Sequence, residues 1–411
     1  MRSYRIYRGS SLISTVPDSQ LAFTDVELSP ATQYSYRIST LIESGKVSAL
    51  STAVSATTLS APLPPPPPPP LTGKVKPFVI GTFVQSTWNF STWKARGINT
   101  VVEIPEGWDL EQWNAAAVAE DLYMIRPPRA NPALDAYETK LLAWSHEDEP
   151  SNVKPGSTGV DYSTVNTTPQ TLDARAATWR AALPAGVDIP IYLNLTGAHI
   201  TDIWINEPMM RDYVDSPSAN IIAHDTYQIN GGGPMVFDRD GYTTTPQGHA
   251  IDRLTSWSGG KPQYAYIESS DFDSNGTLPT AGEFRAQIWS SVIHGAVGII
   301  YFPVVFNPWS FDGTPEYLIA EMTSSHAKIK AVETTLIDST TGLPNGTLLK
   351  MASPGQPVGA GMLPYPFEGR SFGNGKFIVL NASGSNASLT SPVIGVTGAV
   401  FAPYEVFFYG F

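Results

Sequence analysis

Two glutamates stand at the ends of apolar runs. Leu141-Leu142-Ala143-Trp144 reads as a buried strand that breaks, through Ser145 and His146, into Glu147-Asp148-Glu149 before Pro150 forces the exit. Tyr264-Ala265-Tyr266-Ile267 runs into Glu268 in the same way. Proline lacks the N–H that a strand ladder needs, so the first acidic cluster is held at a strand end. Rigid strand ends can fix two carboxyl groups that lie far apart in sequence. Such a pair suits reactions in which one group passes a proton and the other attacks or stabilises a cationic carbon. Glu149 and Glu268 are the expected catalytic pair, and Glu147 is the weaker alternative because it points to the opposite side of an extended chain from Asp148.

Aromatic side chains near strand ends form the next layer: Trp88, Trp108, Tyr227 and Trp309. Apolar C–H faces of sugars stack on such rings. Trp108 and Trp309 are expected to contact substrate, whereas Trp88 is expected to pack on a helix. His224 and His146 lack the spacing of a metal site, so no metal and no cofactor is expected. Both are placed among the polar groups at the strand ends, His224 as a substrate contact.

These groups need a scaffold with many parallel strand ends. From Pro77 the sequence alternates between short apolar strands and amphipathic helices. The strands begin at Phe78, Ile98, Leu122, Leu141, Ile189, Asn220, Tyr264 and Val297. Eight strand and helix units in about 260 residues is the size of a (β/α)₈ TIM barrel. Only Gly81 sits in the first strand region, with no glycine-rich phosphate loop after it, so a nucleotide-binding sheet is disfavoured. The fold class is therefore α/β, with residues 72–340 as the catalytic barrel. Residues 341–411 alternate with period two between Gly, Asn and Ser turns and are expected to form a small β-sandwich. Pro64 to Pro70 lie in a linker over 61–71. Seven prolines in polyproline II span roughly 22 Å at about 3.1 Å each. Residues 1–60 read as antiparallel strands.

That N-terminal stretch resembles a fibronectin type III module at YRIYRGSSLISTV, FTDVELSPATQYSYRI and GKVSALSTAVSATT, with Tyr34 and Tyr36 on its aromatic strand. The likeness starts within the module, so a partial sandwich with an exposed edge or face is expected. The barrel resembles clan A of the retaining glycoside hydrolases, over roughly residues 75 to 340. Asp148-Glu149-Pro150 matches the strand-four end and Tyr266-Ile267-Glu268-Ser269 the strand-seven end. Glu283 to Trp289 and Gly295 to Phe302 are similar to the following helix and strand in β-galactosidase-like members. The resemblance implies Glu149 as acid/base, Glu268 as nucleophile, Tyr227 as a hydrogen-bond partner of the nucleophile and Trp309 as a sugar platform. Where the clan commonly carries Asn before the acid/base this chain has Asp148. That residue would meet the sugar and would also help keep Glu149 protonated.

Composition narrows the partners. Of 411 residues, 42% are hydrophobic and 15% charged, and 25 Lys plus Arg stand against 37 Asp plus Glu. No basic stripe suits nucleic acid or an anionic membrane, no apolar run approaches the roughly 18 residues of a membrane helix, and there is no cysteine. The implied partner is a polysaccharide or oligosaccharide, in an extracellular, secreted bacterial or phage-associated setting. The N-terminus lacks the apolar core of a signal peptide. A non-catalytic carbohydrate-binding or phage tail protein on the same scaffold stays open.

Overall fold

The computed structural model describes residues 2–25, 28–29, 31–42, 45–58, 77–157, 161–201, 207–239 and 242–411. Contacts divide the chain into two compact units, Met1–Pro66 and Pro67–Phe411. The polyproline linker expected over 61–71 lies outside the described residues.

In the first unit, strands Ser3–Arg8, Ser11–Pro17, Gln33–Leu41 and Val54–Thr57 form one antiparallel sheet, with the second strand at one edge and the fourth at the other. Among the described residues this is a single layer and not the two layers expected of a sandwich. Ile6 and Val16 are its buried apolar side chains, while Leu12, Ile38 and Val54 are exposed. A second layer would need more inward-facing apolar positions than these strands supply.

The second unit is built on a closed parallel barrel. Its strands are β1 (Val79–Phe83), β2 (Thr100–Val102), β3 (Tyr123–Arg126), β4 (Leu141–Ser145), β5 (Ile191–Leu195), β6 (Ile221–His224), β7 (Gln263–Glu268) and β8 (Gly298–Phe302). Pairing of Gly298 through Tyr301 with Val79 through Thr82 closes the ring. All eight expected strands are present. Helices α1 (Phe90–Ala95), α2 (Leu110–Ala119), α3 (Pro169–Ala181), α4 (Glu207–Asp215), α5 (Pro246–Ser258), α6 (Ala281–His294) and α7 (Glu316–Leu336) surround it.

Several helix starts follow from local chemistry. Thr168 and Thr245 cap α3 and α5 just before a proline, where the missing N–H costs nothing. Thr280 and Glu283 form a capping box on α6, which Gly295 ends in left-handed backbone (φ 108). The third unit departs from the repeat: between β3 and β4 there is only a 3-10 turn, Pro132–Tyr137. Buried Asp135 in that turn accepts hydrogen bonds from Arg126, Arg129 and Trp144, so an ion-pair network takes the place of helix packing.

Alternation decides which side chains reach the barrel's interior. Tyr192 and Tyr266 meet there, hydroxyl to hydroxyl at 3.1 Å, and the Tyr266 ring packs edge-on against Phe83 at 5.4 Å. Residues at the same parity beyond them, Asn194 and Glu268, therefore face the axis at its C-terminal end. After α7 the chain forms antiparallel strands Thr347–Met351, Phe367–Ser371, Phe377–Asn381 and Val406–Tyr409. Hairpin Phe237–Arg239/Tyr242–Thr244, which follows β6, extends this sheet through a pairing of Thr243 with Met351. Ile378, Leu380 and Val406 pack into the barrel's core. The other face, with Phe367 and Val379, is covered by Leu389 and Phe401 of a two-stranded hairpin.

Candidate active site

Three strand ends turn sharply at the barrel mouth. Val84 after β1, Glu103 after β2 and Glu149 after β4 all have positive φ, at 46°, 61° and 44°. Left-handed backbone costs a residue with a Cβ on the order of 1–3 kcal/mol, and such strain gathers at functional sites. A cleft of about 530 Å³ opens here, lined by Phe83, Val84, Glu103, Ile104, Pro105, Glu106, Trp108, Asp148, Trp309 and Phe311.

Glu149 is half-buried and accepts a hydrogen bond from Asn152 Nδ2 at 3.1 Å. It belongs to an acidic cluster with Asp148 and Asp225. Asn194 Nδ2 donates to Asp148 Oδ1 at 2.9 Å and lies 3.4 Å from Asp225 Oδ2, while the Gly197 N–H donates to Asp225 Oδ1 at 2.6 Å. Asp148 keeps contact with water at the cleft floor, yet the protein around it and then the Glu149 charge raise its carboxyl to about 7. Burial, the Glu149 charge and a hydrogen bond to Glu149 hold Asp225 well above the carboxylate range. A protonated carboxyl beside an ionised one is the arrangement that moves protons near neutral pH. Glu147 is directed elsewhere, into an ion pair with Arg175 of α3.

Glu268 has different surroundings. It is 1% exposed, and its carboxyl oxygens accept from the Ile229 N–H at 2.8 and 3.0 Å and the Asn230 N–H at 3.2 Å. Burial raises it to about 8, against the pull of those two N–H groups and with a small push from Glu283. Tyr227 joins the two regions: beyond burial, Asp225, Asp148, Glu149 and Glu268 all raise its phenol, and its ring packs on Phe272 and Phe302. His224 does not reach the cleft. It shares parity with Ile222 of the strand–helix core, is fully buried with Nδ1 3.0 Å from Thr226 Oγ1, and burial lowers it to about 3.

Aromatic rings rim the cleft. Trp309 is 55% and Trp88 67% exposed. Trp88 and Trp108 lie 5.2 Å apart, and Phe311 sits edge-on to Trp88, Trp108 and Trp309 within 6.0 Å. Trp108, Trp309 and Asp148 line one cleft, and Trp88, which sequence assigned to helix packing, packs against Trp108 and Phe311 beside it. Glu103 and Asp225 were missed as well. Asp225 follows a strand just as Glu149 does, a signal that could have found it; Glu103 carries only its place after Val101-Val102. Among the described residues no group of acids and histidines could hold a metal ion.

No family model matches the chain. Exoglucanase B of Cellulomonas fimi is 30% identical over 195 residues, which is 46% of this chain and 17% of that protein. The chain spans about a sixth of that relative's length. An endo-β-1,4-mannanase from Thermotoga petrophila is similar over 82% of this chain and 92% of its own, at TM-score 0.43 and 10% identity. The carboxyl transferase domain of Rhizobium etli pyruvate carboxylase covers 67% of this chain and 49% of its own, at 0.33 and 9%. Both scores are too low to bear on function.

Proposed function

We propose that the chain hydrolyses glycosidic bonds of an extracellular poly- or oligosaccharide, with Glu149 as acid/base and Glu268 as nucleophile of a double displacement. The observation that carries this reading is the acidic cluster at the mouth of the closed barrel, beside a cleft rimmed by exposed tryptophans. Rings at that rim suit the flat faces of pyranose sugars, and the cluster sets several carboxyl groups close enough to hold and pass a proton. The name of the Cellulomonas fimi relative adds weight to a glucan as substrate.

In the first step Glu149, protonated, gives its proton to the leaving oxygen while a Glu268 oxygen attacks the anomeric carbon. In the second, Glu149 as carboxylate takes a proton from water, which displaces the sugar from Glu268. Retention needs these carboxyls about 5–5.5 Å apart in the bound complex. It also needs the sugar to reach Glu268, which is buried beneath the Ile229 and Asn230 N–H groups. That burial favours a second reading, a carbohydrate-binding protein without turnover. Reducing-end release from a panel of polysaccharides decides between them: turnover by the wild type, lost in Glu149→Gln by about 10²–10⁴-fold, supports hydrolysis. Glycan binding without any release supports the binder.

A further inference from the structure

We propose that Glu103 is a substrate-reading carboxyl of the cleft, which hydrogen-bonds hydroxyl groups of an uncharged sugar. This rests on the carbohydrate reading above and narrows its substrate class. Glu103 breaks the alternation of β2 with its left-handed backbone and lines the same cleft as Asp148 and Trp309. It is 9% exposed, and its Oε1 makes no hydrogen bond of good geometry, its polar neighbour being the Ser145 hydroxyl. An unpaired buried oxygen costs about 1–3 kcal/mol, a penalty that a ligand hydroxyl would remove.

Among the described residues, the charged groups that act on Glu103 are acids, and the nearest of their cations, Arg175, is taken up by Glu147. From the end of β4 come Asp148, Glu147 and the Ser145 hydroxyl, from the interior the Tyr192 phenol, and from its own loop Glu106. Burial first, then Asp148 and Glu147, raise Glu103 to about 8, although Ser145 pulls it partly back. At neutral pH the cleft floor therefore holds a proton. A protonated carboxyl presents one O–H donor and one carbonyl acceptor, a match for neighbouring sugar hydroxyls. A uronic acid would bring a further negative charge against Asp148 and Glu106, with no cation among the residues that line the cleft to receive it.

The test is calorimetric affinity of the full chain for β-1,4-linked hexasaccharides of glucose, mannose and xylose, and for hexagalacturonate, from pH 6 to 9.5. Wild type is expected to bind a neutral hexasaccharide, to ignore the uronate, and to weaken about tenfold as pH rises through 8. Glu103→Gln keeps a donor and an acceptor, so it should bind as wild type does at pH 6 and lose the step near pH 8. Glu103→Ala should lose about tenfold with little change in melting temperature; if it unfolds, the Gln variant decides. Preference for hexagalacturonate, an alkaline step unchanged in Glu103→Gln, or a folded Glu103→Ala of wild-type affinity overturns the inference and leaves hydrolysis standing. Failure of the wild type to bind or cleave any glycan overturns the carbohydrate reading, and this inference with it.

Discussion

At the scale of single residues, Glu268 has an observed role as an anchor and a proposed one as nucleophile, and one substitution separates them. As an anchor, its carboxyl oxygens accept from the backbone N–H groups of Ile229 and Asn230, and each such hydrogen bond contributes about 0.5–1.5 kcal/mol. As a nucleophile, it must offer an oxygen to the anomeric carbon. Glu268→Gln keeps the shape and one strong acceptor but cannot attack. A catalytic role predicts turnover falling below about one thousandth with a modest drop in melting temperature; an anchoring role alone predicts a melting drop of several degrees with turnover largely kept. Trp309 is simpler. Its ring is exposed, so Trp309→Ala should raise KM by up to about tenfold, for about 0.5–1.5 kcal/mol of lost stacking, with an unchanged melting temperature. A destabilised variant would mean that its packing on Phe306 and Phe311 supports the fold instead. The positions of Glu149 and Trp309 near the barrel mouth were legible because proline and strand ends mark them. Glu103 was not, since its position depends on one left-handed turn that a single acidic letter does not announce. His224 was misplaced for a related reason: strand parity, which sends it to the helix layer, needs the register of β6.

At the scale of elements, the eight strands were legible because fully buried parallel strands leave apolar runs bounded by Gly, Pro and Asn. The missing third helix was not. The stretch after Arg126 satisfies its backbone and charges through Asp135 and two arginines, a tertiary arrangement without periodicity. The same holds where α6 meets the C-terminal sheet. His294 lies between Asp252 of α5 at 2.9 Å and Glu368 at 3.2 Å. Burial disfavours its charge, but the two carboxylates outweigh that and raise it to about 10. A folded value above the ordinary 6.5 means that the imidazolium stabilises fully below about pH 6.5 and that this contribution is lost as pH rises through about 10. Stability should therefore decline over that window. Replacing His294 with Gln leaves two carboxylates facing each other, so it should cost about 3–5 kcal/mol and flatten this part of the alkaline slope. Denaturant unfolding at pH 6, 8 and 10 checks it; an unchanged slope in the variant would assign the decline to other groups.

At the scale of the whole molecule, what matters is which parts the cleft needs. The C-terminal sheet shares its core with the barrel, and Thr243 of the hairpin after β6 pairs with Met351 of that sheet. The hairpin continues the segment that begins at Tyr227 and includes the turn over Glu268, so the sheet helps to hold the mouth of the barrel. Residues 1–66 are a separate compact unit, joined through a run of seven prolines. Each unit has its own internal contacts, which is the property of parts that can fold separately. A chain beginning at residue 71 should therefore keep its melting temperature within about 2 °C and its turnover within about twofold, whereas one ending at residue 340 should not fold, because Ile378, Leu380 and Val406 would leave the barrel's core uncovered. Scanning calorimetry and turnover on the two truncations test both halves of the argument. A large loss on removing the N-terminal unit would mean that the sheet of Ser3–Thr57 contributes to the barrel's stability or to its substrate contacts. A folded, active chain ending at residue 340 would mean that the apolar face of the C-terminal sheet is not needed to close the barrel's core.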